Sequence, residues 1–207
     1  IGESNEFPIT KDLSAEHVAN YRHLWLRSRR INAAMKLRAA CFKAFRKYFD
    51  DAGFYEYHSP IFQATQAEGG SELFSVKYFD DELFLSQTWQ LYAEAGVSSI
   101  EKIYTIGPTF RAENSKTSRH LTEFWMAEME EAWVTFDDVI GRAEAVLKRV
   151  VHAVLSECSK ELETLHVEKS GLQRVVDEDF VRLTYTEAVT ILEEAHNINV
   201  EWGEDLG

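Results

Sequence analysis

Tyr104-Thr-Ile-Gly-Pro-Thr-Phe-Arg-Ala-Glu-Asn-Ser-Lys-Thr-Ser-Arg-His-Leu-Thr-Glu-Phe-Trp-Met-Ala-Glu-Met-Glu130 is the stretch whose reading decides the fold. It opens as a strand, passes through a polar loop rich in Ser, Thr and Asn, and returns as a strand rich in aromatic and apolar residues. That pattern predicts a long β-hairpin. Arg111, Lys116, Arg119 and His120 gather at its open end, in a chain whose formal net charge is -13. A local basic cluster on an acidic protein suits the docking of a small polyanion such as a nucleoside triphosphate. On the return strand, period-two alternation puts Phe124, Met126, Glu128 and Glu130 on one face. A stacking ring beside carboxylates makes a poor core and a better substrate floor. Residue types alone also allow a solvated hairpin whose charges keep a sheet edge from aggregating.

The 207 residues match one domain of ordinary size or the greater part of a larger one. Apolar residues make up 45%, enough to fill a single core. No apolar run approaches the roughly 18 residues of a membrane span, and no signal-peptide pattern opens the chain. The expectation is a cytoplasmic protein with no membrane partner. Cys41 and Cys158 sit in helix-like stretches without metal-ligand spacing, as buried thiols of a reducing compartment do. The chain as a whole lacks the basic footprint usual for nucleic-acid binding. Either nucleic acid is not a partner, or the basic surface lies mainly outside these residues.

Working outward from the hairpin, residues 1–12 show no periodicity and read as a linker, followed by a short helix with Ser14 as N-cap. Tyr21 to Arg30 mixes aromatics with cations, an amphipathic connector that packs Leu24, Trp25 and Leu26 on the core. A strong helix is predicted over 32–51, stopped by Gly53. Phe54 to Ile61 reads as a strand with Pro60 near its end. The Gly69-Gly70 pair marks a loop with hinge freedom. Glu82 to Ser86 reads as a strand, followed by a helix from Gln87 to Ala95. After the hairpin, Asp137 is the predicted cap of an amphipathic helix reaching Cys158, with Val139, Ala143, Val146, Val150, Val154 and Leu155 as its stripe. His152 and His166 fall in helical contexts without ligand spacing. Val181 to Tyr185 reads as a strand, with Thr186 capping a last helix.

Phe110-Arg-Ala-Glu113, the short basic loop and Arg119-His-Leu-Thr-Glu-Phe124 resemble motif 2 of class II aminoacyl-tRNA synthetases, and within that class the wording from Pro108 to Met126 is most similar to the asparaginyl enzymes. Helix, glycine, strand and Pro60 resemble motif 1, which implies a homodimer interface at Pro60. The resemblance implies an α+β (mixed α/β) fold, a mostly antiparallel sheet flanked by helices. It also divides the chain into a linker and lead-in helix at 1–30 and the N-terminal part of a catalytic domain at 31–207. Trp202-Gly-Glu-Asp-Leu206 resembles a family segment followed by more of that domain. Motif 3, the metal-binding carboxylates and an anticodon-reading OB-fold are expected outside these residues.

The same resemblance assigns roles. Arg111 would hold the α-phosphate and the reacting carboxylate; Glu113 would position the adenine or the tRNA end. Arg119 and His120 fall where the family contacts the outer phosphates, and Phe124 where it stacks on adenine. Glu68, just before the two glycines, would hold the substrate ammonium, with Gln90 and Glu128 beside it. Aspartyl enzymes carry a lysine where this chain has Ala93. Its loss, with Glu94 adjacent, disfavours aspartate and suits a neutral amide that donates to Glu94. The implied activity is an asparagine–tRNA ligase acting on asparagine, ATP and tRNA(Asn). Magnesium is implied with ATP, its ligands lying beyond Gly207 and none read in this chain. The rivals are an aspartyl-tRNA synthetase, an ammonia-dependent asparagine synthetase on the same fold, and a non-catalytic dimerising regulator.

Overall fold

The computed structural model describes residues 14–64, 73–113, 120–196 and 198–206. In chain order the elements are α1 (Ala15–Asn20), α2 (Arg22–Trp25), α3 (Arg29–Asp51), β1 (Tyr55–Glu56), β2 (Phe62–Gln63), β3 (Ser75–Tyr78), β4 (Asp81–Leu85), α4 (Gln90–Ile100), β5 (Lys102–Phe110), β6 (Glu123–Glu131), α5 (Phe136–Glu157), α6 (Ser159–Thr164), α7 (Lys169–Asp177) and α8 (Tyr185–His196). Two three-stranded sheets form, in the orders β1-β5-β6 and β2-β4-β3. All their pairings are antiparallel except β1 with β5. This is the expected mixed α/β fold, a mostly antiparallel sheet flanked by helices.

The hairpin is the longest pairing, in register from Lys102 opposite Glu131 to Phe110 opposite Glu123. Alternation along β5 divides its faces. Tyr104 and Ile106 turn toward α3 and α5, in a core with Ala44, Phe49, Phe54, Val146 and Val150. Ile103 turns the other way, into a smaller cluster with Trp89 and Ala93 under α4. Phe49 stacks on Tyr104 at 4.6 Å, and the Tyr104 hydroxyl donates to Asp50 at 3.1 Å. Burial first, then the Glu56 charge, raises the Tyr104 phenol above its ordinary range. A third cluster, Val154, Cys158 and Leu162, ties α5 and α6 to α3 through Leu37 and Cys41.

The strand expected over 54–61 pairs only at Tyr55 and Glu56. Tyr57 N–H still donates to the Tyr104 carbonyl, and Phe110 N–H donates to Ser86, so even-numbered residues of β5 face this edge. Pro108 is one of them and offers no N–H, so a ladder cannot continue there. The gap is a cavity of about 320 Å³ reached by His58, Pro60, Trp89 and Trp125.

Other expectations needed correction. Helix α3 starts at Arg29 rather than near Asn32, and Ser28 caps it by accepting from Ile31 N–H. Thr135 caps α5 in a capping box with Asp138, so Asp137 is not the cap. A threonine whose carboxylate partner lies three residues on outcompetes a lone aspartate. Of the predicted α5 stripe, Val139 and Ala143 are exposed and the buried members are Val146, Val150 and Val154. Leu26 is exposed rather than packed. His166 has φ of 56° in a left-handed turn after α6, not a helix.

The described residues divide into two compact units after Val176. In the second, 181–184 form no strand. Thr184, not Thr186, opens α8: its N–H and hydroxyl donate to Glu187, and its hydroxyl accepts in return. Tyr185 stacks edge-on to Trp202 and donates to the Glu204 carbonyl at 2.7 Å.

Candidate active site

Arg111, Glu113, His120 and Phe124, four of the predicted site residues, meet at the open end of the hairpin. Arg111 follows β5 directly, and its N–H closes the ladder on the Thr122 carbonyl at 3.0 Å. The guanidinium lies over the Phe124 ring, 5.5 Å from its centroid. Arg111, Glu113, His120, Leu121 and Phe124 line a cleft of about 300 Å³. Arg111 Nε is buried with no hydrogen-bond partner among the described residues. A buried guanidinium nitrogen without an acceptor fits an anionic ligand that supplies one. A flat ring below a cation likewise fits a planar base joined to phosphates. Leu121 was not foreseen in the cleft; its place between His120 and Phe124 was the available signal. Arg119 and Lys116 lie outside the described residues.

A second group of predicted site residues begins farther along the same sheet face. Glu128 lies four residues along β6 from Phe124, about 13 Å at strand rise. It is clamped from α4: the Thr88 hydroxyl donates to one carboxylate oxygen and Trp89 N–H donates to the other at 3.3 Å. A carboxylate at a helix N-terminus meets unsatisfied N–H groups and the positive end of the helix dipole. Thr88 Oγ1 also accepts from Gln90 N–H at 3.1 Å. This clamp was not read in the sequence, because the helix was started at Gln87 rather than Gln90. A threonine just ahead of the first helical turn was the overlooked sign.

Gln90 and Glu94 stand one turn apart on the exposed side of α4, where Gln90 Nε2 donates to Glu94 Oε1 at 3.0 Å. Ala93 points inward and has no exposed surface. A lysine at 93 would have to leave the cluster of Trp89 and Ile103, so the missing cation is built into the packing of this wall. Glu130 lies beyond Glu128 on the same face. Burial, then the Glu94 and Glu128 carboxylates, holds its carboxyl above the usual carboxylate range. On the opposite face Glu131, with a side chain only 3% exposed, pairs with Arg142 at 2.8 Å and Lys102 at 2.9 Å. Its carboxyl is correspondingly depressed, by Arg142 first and then by Lys102.

Pro60 is exposed on the segment between β1 and β2, where it lines the cavity beside β5 together with Trp89 and Glu128. Glu68 lies outside the described residues. Among the described residues no three His, Cys, Asp or Glu side chains are arranged to hold a metal ion. No helix among them is long and apolar enough to cross a membrane.

A family model of the class II tRNA synthetases (D, K and N) matches residues 14–205. Asparaginyl-tRNA synthetase from Pyrococcus horikoshii, complexed with asparaginyl-adenylate, superposes with a TM-score of 0.93 at 38% identity, over 100% of this chain and 48% of that one. Asparaginyl-tRNA synthetase from Entamoeba histolytica gives 0.83 at 29% identity, over 100% and 47%. Aspartyl tRNA synthetase from the same organism gives 0.74 at 27%, over 95% and 36%. The chain spans about half the length of the asparaginyl relatives it matches.

Proposed function

The chain belongs to the class II tRNA synthetases of the D, K and N group, and from that premise we propose that it carries motifs 1 and 2 of an asparagine–tRNA ligase. The observation that carries the reading is one sheet face. It has an arginine–aromatic cleft at one end and, about 13 Å along the strand, a carboxylate clamped beside an exposed Gln–Glu pair. In this reading residues 31–207 are the N-terminal part of the catalytic domain, and 1–30 are its lead-in.

The reaction has two steps. The asparagine carboxylate attacks the α-phosphate of ATP, the bond to the β-phosphate bridging oxygen breaks, and pyrophosphate leaves. A terminal hydroxyl of tRNA(Asn) then attacks the acyl carbon of the adenylate and AMP leaves. Neither step needs a covalent protein intermediate; both need charge neutralisation and alignment. Arg111 spans the α-phosphate and the attacking carboxylate, the bidentate task for which a guanidinium is shaped. Phe124 stacks on the adenine, Glu113 orients the adenine or the tRNA end, and Arg119 and His120 meet the outer phosphates. Glu68 takes the substrate ammonium with Gln90 and Glu128, and Glu94 accepts from the side-chain amide. Magnesium would neutralise the triphosphate when bound, but no donor set among the described residues fits it and no step is assigned to it.

Asparagine rather than aspartate is favoured by the wall itself, where Glu94 faces outward and Ala93 is closed off. A substrate carboxylate placed against a protein carboxylate costs on the order of several kcal/mol. The homodimer belongs to the same proposal. Tyr55, Ile61 and Phe62 are exposed apolar residues flanking Pro60, which suits a partner subunit there.

Charging of tRNA(Asn) with labelled asparagine by the natural gene product tests the reading. Formation of an ester-linked asparaginyl-tRNA is the expected result. Aspartyl-tRNA would make the protein an aspartyl enzyme, and free asparagine formed from aspartate and ammonia would make it an asparagine synthetase.

A further inference from the structure

A chain of hydrogen bonds runs from the Pro60 segment to the carboxylate of Glu128, through two buried polar residues, Gln63 and Ser86. Gln63 Nε2 donates to the Pro60 carbonyl at 3.0 Å and to Ser86 Oγ at 3.1 Å. The Pro60 carbonyl can only accept, which settles which end of the Gln63 amide faces it. The Ser86 hydroxyl donates in turn to the Thr88 carbonyl at 3.0 Å. One residue side chain then carries the chain outward. The Thr88 hydroxyl accepts from Gln90 N–H at 3.1 Å and donates its single hydrogen to Glu128. Trp89 N–H donates to the other Glu128 oxygen at 3.3 Å.

A glutamate on a strand has rotamer freedom that a bound ammonium would otherwise have to remove. Here each Glu128 oxygen already takes one donor, and lone pairs on both stay open for a further one. The hydroxyl that holds Glu128 also ties down the first residue of α4, the helix that carries the Gln90–Glu94 pair. Strand carboxylate and helix pair are therefore set against each other through one oxygen atom, whose backbone is anchored from beneath. We infer that Thr88 is a positioning residue, anchored by Gln63 and Ser86, that presets Glu128 against Gln90 to receive a substrate ammonium. This rests on the reading of Glu128 and Gln90 as part of the amino-acid site. It also accounts for Gln63, which touches no substrate in that reading. An apolar side chain would fill its buried position without the cost of desolvating an amide.

The test is asparagine-dependent ATP–pyrophosphate exchange by the natural gene product, comparing wild type with T88V, T88S and S86A and recording a melting curve for each. Valine keeps the shape of Thr88 without its hydroxyl, whereas serine keeps the hydroxyl. T88V should raise KM for asparagine about ten-fold, with KM for ATP and kcat at saturating asparagine within about three-fold of wild type. T88S should restore KM for asparagine to within about three-fold of wild type. A residue that merely caps α4 would lower the melting temperature without this selectivity for asparagine. An unchanged KM for asparagine in T88V, an equal rise for ATP, or T88S as impaired as T88V overturns the inference. Should T88V fail to fold, S86A decides: a selective rise of about three-fold in KM for asparagine supports the inference, and an unchanged value overturns it. A wild type inert with asparagine overturns it together with the functional reading, and the two failures are thereby told apart.

Discussion

At Arg111 the account is most exposed to test. Its guanidinium lies over Phe124, and Nε is buried without a partner among the described residues, which leaves that donor for a ligand. Arg111→Lys preserves the charge but loses the fork, and asparagine activation should fall about 100-fold or more with thermal stability nearly unchanged. Steady-state exchange kinetics beside a melting curve checks this. Glu94→Lys should weaken asparagine activation far more than ATP binding; equal losses would remove Glu94 from amide recognition. The hairpin residues were legible in advance because a strand alternates, so Phe124, Met126, Glu128 and Glu130 had to share a face. The clamp on Glu128 was not legible, since it depends on where α4 starts relative to Thr88.

Elements were read well where one physical signal dominated and poorly where two competed. Helices α3 and α5 announce themselves by periodicity, while their first residues depend on which Ser or Thr wins the cap. The segment from Phe54 reads as a longer strand than it makes, since it pairs with β5 only at Tyr55 and Glu56. The seating of α4 on β5 offers a direct test. A Cβ at Gly96 would lie 3.0 Å from Tyr57 and 3.1 Å from Ile103. Ile103 is fully buried and Tyr57 packs on Trp89, so neither yields easily. Overpacking of about 1–3 kcal/mol outweighs a helix-propensity gain of about 1 kcal/mol. Gly96→Ala should lower stability by about 1 kcal/mol in denaturant melts. It should also reduce asparagine activation, because Glu94 rides on the same helix.

The pairing of β6 with α5 through Glu131 predicts an acid limb. Folding depresses the Glu131 carboxyl, so its contribution is complete above the unfolded value of 4.5 and lost as pH falls through the lower folded value. Glu131→Gln should cost about 3 kcal/mol at neutral pH, the low end for a broken buried pair because Arg142 and Lys102 keep some solvent. The mutant's deficit should shrink as pH drops below about 4. Urea melts across that range measure it.

Across the whole molecule, the fold class and the family were both legible from one hairpin, because motif 2 compresses a strand, a phosphate-facing loop and a stacking ring into contiguous sequence. The division of the chain after Val176 was not legible. The segment at 181–185 has strand-like residues and yet is taken by the cap of α8. The central claim is that this chain contributes to a pocket built for an amide. Amino-acid-dependent ATP–pyrophosphate exchange by the natural gene product tests it most directly, with asparagine and aspartate compared at equal concentration. The account predicts exchange with asparagine and at least about 100-fold less with aspartate. Exchange led by aspartate would contradict it.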